Sequence, residues 1–299
     1  LGVRFFLFFM RYCFFYLPLL ILPFTVLAQI PEVKTFNAYN RDYATDWIAF
    51  SNSLDKDDMI SQFIDYAQGQ PAWVDRFSRE GFYLGNYISL VDFDADEEDE
   101  IVYQGPLFGE SQVFEIYKRK DDKTFDLIFS SQQGVITSEW NGEQLSRLYV
   151  RDWGCCMEEH ITSVVFEVQM EQGQLKFQRS FQFVSHFLET KPKAYFKSPI
   201  AFQTLNESYT LRVTPEIVKE GLFVDLDPEK GNVLSHYPKG TEGIALAEKV
   251  DKTGRIWWYV LIDTSNQYTK SNTYLGGIEG DGYVSGWMSS RYLQILVRN

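Results

Sequence analysis

The chain has 299 residues, 45% of them hydrophobic and 17% aromatic, and its 28 basic and 41 acidic residues give a net charge of −13. That surplus repels nucleic acid and anionic membrane surfaces, which are therefore excluded as preferred partners, while it favours cations. Three cysteines are too few for a disulfide scaffold, so stability has to come from buried apolar surface, and the length allows two ordinary cores.

Residues 1–28 contain Arg4 and Arg11, no acidic group and a long apolar run from Cys13 to Leu27, followed by Val26-Leu27-Ala28 before Gln29. A charged start at Met10-Arg11, an apolar middle and a small residue at the end predict a secretory signal peptide cleaved near Ala28, hence a secreted or periplasmic protein. A membrane anchor is the alternative, since the run approaches spanning length, but it is broken by Pro18 and Pro23. Cys13 lies inside the apolar run and not after a cleavage site, so a lipoprotein is not expected. Without these residues the net charge becomes −15.

Residues 29–55 are polar and mixed apart from Trp47-Ile48-Ala49-Phe50. Ser53 or Asp55 then caps a predicted helix over Lys56–Ala67, in which Met59, Ile60, Phe63 and Ile64 form one apolar stripe that ends near Gly69. From Gly81 onward the pattern turns to short β-runs: 87–91, 100–103, 113–117, 125–129, 145–151, 164–170 and 175–184, divided by Asp, Gly, Asn and Lys. The turns at 121–124 and 171–174 join runs that read as antiparallel neighbours. The expectation is an antiparallel β-domain with a short helical preface over 29–200, joined through Pro192 and Pro199 to a second unit over 201–299.

Two clusters in the first unit bear on chemistry. Asp92, Asp94, Asp96, Glu98 and Glu100 stand at alternate positions of a tight loop, where side-chain oxygens at positions 1, 3, 5 and 9 and a carbonyl at position 7 converge on a point as a hard cation requires. The stretch is similar to the calcium loop of FG-GAP/VCBS-type blades, D-x-D-x-D-x-x-x-(D/E) before an apolar strand. The resemblance implies calcium held by the side chains of Asp92, Asp94, Asp96 and Glu100 and the carbonyl of Glu98. Ala95 and Glu97 depart from it, because the family usually has Gly at both positions, and only one such loop occurs, so a closed propeller is not expected. The alternative is a solvated acidic turn between two strands. The second cluster is Cys155-Cys156 with His160 nearby. It reads as small buried residues or free thiols, with a strained vicinal disulfide or a thiolate site as alternatives.

The last ninety residues carry Leu211-Arg212-Val213-Thr214-Pro215, Lys239-Gly240-Thr241, Trp257-Trp258-Tyr259-Val260 and Gly286-Trp287-Met288 with Tyr292-Leu293. Arg255–Ile262 is β-branched and aromatic behind an Asp251–Gly254 turn, which predicts a hairpin strand without any family name. In order, these four motifs resemble the bacterial SH3 (SH3b) family over residues 209–296. The resemblance implies a small SH3-like β-barrel, with ligand contacts in its loops. Two of those loops, 218–230 and 263–282, are longer than the family norm. Strand alternation turns one of Trp257 and Trp258 inward, and Trp257, Tyr259, Trp287 and Tyr292 are candidate ligand-binding aromatics.

The fold class expected is mainly β. Signatures of cell-wall peptidases, zinc amidases, serine hydrolases and P-loop proteins are missing. The reading is a non-catalytic binding protein that recognises a peptide, a glycan or another cell-wall component, with calcium as its candidate cofactor. The alternatives are an envelope enzyme or enzyme inhibitor that uses the first unit, and a structural subunit of a surface complex.

Overall fold

The computed structural model describes residues 33–39, 56–78, 81–107, 112–121, 123–132, 134–152, 160–218, 231–266, 268–271 and 282–296. The predicted signal peptide, the Trp47–Phe50 cluster, the caps Ser53 and Asp55, Cys155, Cys156 and most of the two long loops lie outside the described residues.

The predicted helix is α2, Lys56–Gln68, after a short α1 over Val33–Ala38. Asp57 and Asp58 stand in the first turn of α2, where the helix dipole favours negative charge. Met59, Phe63 and Ala67 recur every fourth residue and are buried. They lie against a four-stranded antiparallel sheet of β1 (Ile88–Val91), β2 (Glu100–Pro106), β3 (Gln112–Asp121) and β4 (Thr124–Ser131). Phe63 alone, fully buried, contributes roughly 2–3 kcal/mol of apolar burial.

Alternation along β2 and β3 splits that sheet between two cores. Ile101, Tyr103, Val113 and Tyr117 face α2, whereas Val102, Phe114 and Ile116 face the opposite way. Four further strands fill the second face: β5 (Gly134–Asn141), β6 (Gln144–Asp152), β7 (His160–Glu171) and β8 (Gln174–His186). Val135, Leu148, Val150, Val164 and Leu175 supply their share of that core. The order is thus helix, sheet, sheet. In the β7–β8 hairpin Glu171 pairs with Gln174, and the two residues between them, Gln172 and Gly173, have φ of 54° and 76°. That is the primed turn that matches strand twist.

The C-terminal strands are β9 (Ile200–Thr204), β10 (Tyr209–Arg212), β11 (Val233–Tyr237), β12 (Glu242–Val250), β13 (Ile256–Asp263), β14 (Lys270–Ser271), β15 (Tyr283–Ser289) and β16 (Leu293–Ile295). They run β16-β9-β12-β13-β15, with β10 beside β15, β11 beside β10 and β14 beside β11. Leu211, Val213, Trp258, Val260, Ile262 and Met288 are part of their shared core. One parallel pairing joins the halves: Tyr283 and Val284 of β15 lie beside Phe183 and Val184 of β8. The expected boundary near residue 200 is therefore crossed by a hydrogen-bonded sheet. Among the described residues no helix is long and apolar enough to cross a membrane.

Candidate functional site

The acidic loop leaves β1 at Val91 and enters β2 at Glu100. Phe93 anchors it: its ring is fully buried and stacks on Trp140 at 5.8 Å, and its backbone N–H donates to Glu100 Oε2 at 2.9 Å. The Asp92 carboxylate takes the N–H groups of Ala95, Asp96 and Glu97 at 2.7, 3.3 and 3.1 Å. Under that pull Ala95 and Glu97 adopt φ of 61° and 72°. These are the two positions where the resembled loop has glycine, so the backbone takes the left-handed turns without the residue that makes them cheap.

Of the five predicted ligands, Asp92, Asp94 and Glu100 bring carboxylate oxygens within 4.8 Å of one another. Asp96 joins them through Lys118, while the side chain of Glu98 is exposed and its N–H donates to Asp96 Oδ1 at 2.9 Å. Lys118, 18 residues further along the chain than Glu100, completes the cluster. Its ammonium lies 2.7 Å from Asp94 Oδ2, 2.8 Å from Asp96 Oδ2 and 3.1 Å from Glu100 Oε1. The pairing of Ile101 with Tyr117 places Glu100 opposite Lys118 one step further on, a register that sequence spacing does not reveal.

The electrostatics follow from burial around one ammonium. Burial pushes the Glu100 carboxyl up to about 7, an effect reinforced by the Asp94 charge and opposed by the Phe93 N–H and by Lys118. Burial also raises Asp94, against the pull of Lys118. At Asp96 burial is outweighed by Lys118 and the Glu98 N–H, so its carboxyl is lowered. Lys118 is raised in turn, because the carboxylates more than offset its own desolvation. An all-oxygen donor set of this kind suits a hard divalent cation. Asp92, Asp94, Asp96 and Glu100 are the residues that would hold one, and such an ion would supply neutralisation and cross-linking of the loop.

The candidate aromatics separate into two groups. Trp257, Tyr259 and Trp287 are each 1% exposed, so the expectation of stacking faces at these three is corrected; Tyr292 is 41% exposed. For Tyr259 and Trp287 the reason is the segment after β8, which packs on β13 and β15. Thr190 accepts from Trp287 Nε1 at 2.7 Å, Glu189 Oε1 accepts from the Tyr259 hydroxyl at 2.6 Å, and Phe196 N–H donates to the Leu246 carbonyl at 2.7 Å. Trp257 Nε1 donates to Asp251 Oδ2 at 2.9 Å. Trp258 is the member of the tryptophan pair that enters the C-terminal core.

A cleft of about 210 Å³ opens on the C-terminal strands, with Tyr209, Arg212, Arg255, Trp257, Arg291 and Tyr292 in its walls. The Arg255 guanidinium lies 5.7 Å from the Trp257 ring and that of Arg291 5.4 Å from the Tyr292 ring. Arg212 is steadied by Asn232 Oδ1 at 2.8 Å, and both burial and the charge of Arg255 lower its affinity for a proton. Among the described residues none of the three arginines has a carboxylate within ion-pair distance. Each stands in or beside a motif quoted above, yet only the fold brings positions 212, 255 and 291 together.

His160 and His186 face each other across β7 and β8 with ring centroids 6.4 Å apart, whereas Cys155 and Cys156 lie outside the described residues. Comparison with protein-family models, with curated proteins and with solved structures finds no match.

Proposed function

We propose that this is a non-catalytic binding protein whose C-terminal strands hold an extended, carboxylate-bearing ligand, a peptide or glycan of the cell wall, in the cleft between Arg212, Arg255 and Arg291. One observation carries the reading: a chain of net charge −13 gathers three guanidinium groups around one cleft, with no acidic partner among the described residues. Guanidinium forks match carboxylates through paired hydrogen bonds, and Trp257 and Tyr292 hold two of the forks by their planes. The resemblance of the four C-terminal motifs to SH3b domains supports the same role. Export, read from residues 1–28, and a calcium-stabilised loop at 92–100 belong to this proposal.

Point substitutions test it better than deletion of residues 209–299, which would strip β8 of its neighbour β15 and uncover Glu189. Retention of the protein on isolated cell-wall material is compared with that of an Arg255→Gln, Arg291→Gln double variant. Each charged hydrogen-bonding group is worth about 1.5–3 kcal/mol, so retention should weaken by roughly tenfold or more. Competition with a free-acid oligopeptide, its amidated form and a uronate oligosaccharide separates peptide from glycan. Unchanged retention by the double variant, with native thermal unfolding, would sink the proposal.

A further inference from the structure

The loop at 92–100 holds more negative charge than its internal cation balances. Four carboxylates, those of Asp92, Asp94, Asp96 and Glu100, surround or adjoin one ammonium, that of Lys118. The side chain of Asp94 is 2% exposed, and its Oδ1 is buried without a hydrogen-bond partner. Glu100 is fully buried, and the Lys118 ammonium at 3.1 Å is the counter-charge its Oε1 meets. An unsatisfied buried carboxylate oxygen such as Asp94 Oδ1 is costly, and a cation with a larger coordination number than an ammonium would use it. Lys118 reaches the cluster from β3 and its side chain remains 28% exposed, so it has a route back to water.

We propose that Lys118 is a resident counter-ion which a hard divalent cation displaces: ammonium and metal exchange at one position, and the lysine sets how much metal is needed. The inference rests on the reading of residues 92–100 as a hard-cation loop. Asp92, Asp96 and Glu100 hold the turn through backbone N–H groups, and Lys118 supplies the clustered carboxylates with a counter-ion from the chain itself. The ion then has to outcompete a charge already attached to the chain. Lys118 therefore weakens metal binding while removing the dependence of folding on metal.

The experiment uses calcium chloride alone as the probe. Titration calorimetry and thermal unfolding are run on the native protein and on Lys118→Met, which keeps the stem and loses the charge. The variant is expected to bind calcium at least tenfold more tightly and to unfold at a lower temperature in chelator, recovering when calcium is added. In the native protein, amine acetylation of Lys118 followed by mass spectrometry should be several-fold faster in saturating calcium, with Lys123 unchanged as the control. That readout does not need the variant to fold. Equal affinities and unaltered acetylation would overturn the exchange and leave the hard-cation loop standing; no calcium binding by either protein would remove both.

Discussion

The guanidinium of Arg76 meets the carboxylate of Glu115 through two hydrogen bonds of 2.8 and 3.0 Å, with both side chains almost wholly buried. Arg76 belongs to α3, Val74–Phe77, and Glu115 to β3, so the pair fastens the short helices onto the sheet. Trp73 and Tyr103 cover the guanidinium at 4.1 and 4.9 Å, and Tyr117 donates to Glu115 at 2.9 Å.

Breaking that pair on one side leaves an uncompensated buried charge. Arg76→Ala should lose about 3–5 kcal/mol in urea unfolding. Arg76→Met combined with Glu115→Gln removes both charges and should lose less than the single change. A smaller loss in Arg76→Ala than in the double variant would show that the pair is solvated.

Ala95 and Glu97 hold left-handed backbone, which costs an L-residue roughly 1–2 kcal/mol. Glycine relieves that cost but gives back about 0.5–1 kcal/mol through the freer unfolded chain. Glu97→Gly and Ala95→Gly should each leave the thermal midpoint unchanged or raise it slightly, where glycine elsewhere in a strand lowers it. A clear fall in either variant would mean the turn is not left-handed at that residue.

Gly286 is required by close approach. A Cβ there would lie 2.8 Å from both Cγ and Cδ1 of Leu211 and 3.0 Å from the Arg212 carbonyl oxygen, in a core with no slack. Gly286→Ala should cost about 1–3 kcal/mol by overpacking. Pairing it with Leu211→Ala should recover part of the loss at Gly286 in a double-mutant cycle, whereas strict additivity would place the strain elsewhere.

His186 gives the protein a pH signature. The ring is 2% exposed and stacks on Phe187, and burial pushes its pKa down to about 4, with the charges of His160 and Lys191 adding to the effect. Its ordinary value is about 6.5, so between pH 6.5 and 4 the unfolded chain binds the proton that the folded chain refuses. Stability from His186 is therefore complete above pH 6.5 and lost as the pH falls toward 4, by an amount on the order of 3 kcal/mol. Glu100, raised to about 7, works in the opposite sense over part of that window. The difference in urea stability between native protein and His186→Gln should shrink from pH 7 to pH 4; a constant difference would count against a buried neutral ring.

Much of the fold is legible along the chain, because the signals are local. The apolar stripe of α2, the runs of β1 to β4 and β6 to β8, and the turns closing at Asp121–Thr124 and Glu171–Gln174 follow from periodicity and turn chemistry acting over a few residues. β5 carries no such local signal, because Gly134–Asn141 mixes Thr, Ser and Glu into its apolar residues and becomes a strand by pairing with β6. The short helices at 71–77 have none either, since they owe their place to Trp73 and Arg76 packing on the sheet.

Asp92, Asp94, Asp96, Glu98 and Glu100 were visible as an alternating set, and so was the turn they form, because all of it is written within nine residues. By itself the sequence determined the mainly β class, the acidic loop and the C-terminal motif order. Only the tertiary structure decided that Lys118 enters that loop, that Trp257, Tyr259 and Trp287 are buried, the last two under the segment after β8, and that Arg212, Arg255 and Arg291 share one cleft. Those outcomes depend on strand register and on which face a covering segment occupies. Such long-range pairings are chosen by the packing of the whole chain and leave no periodic trace in it.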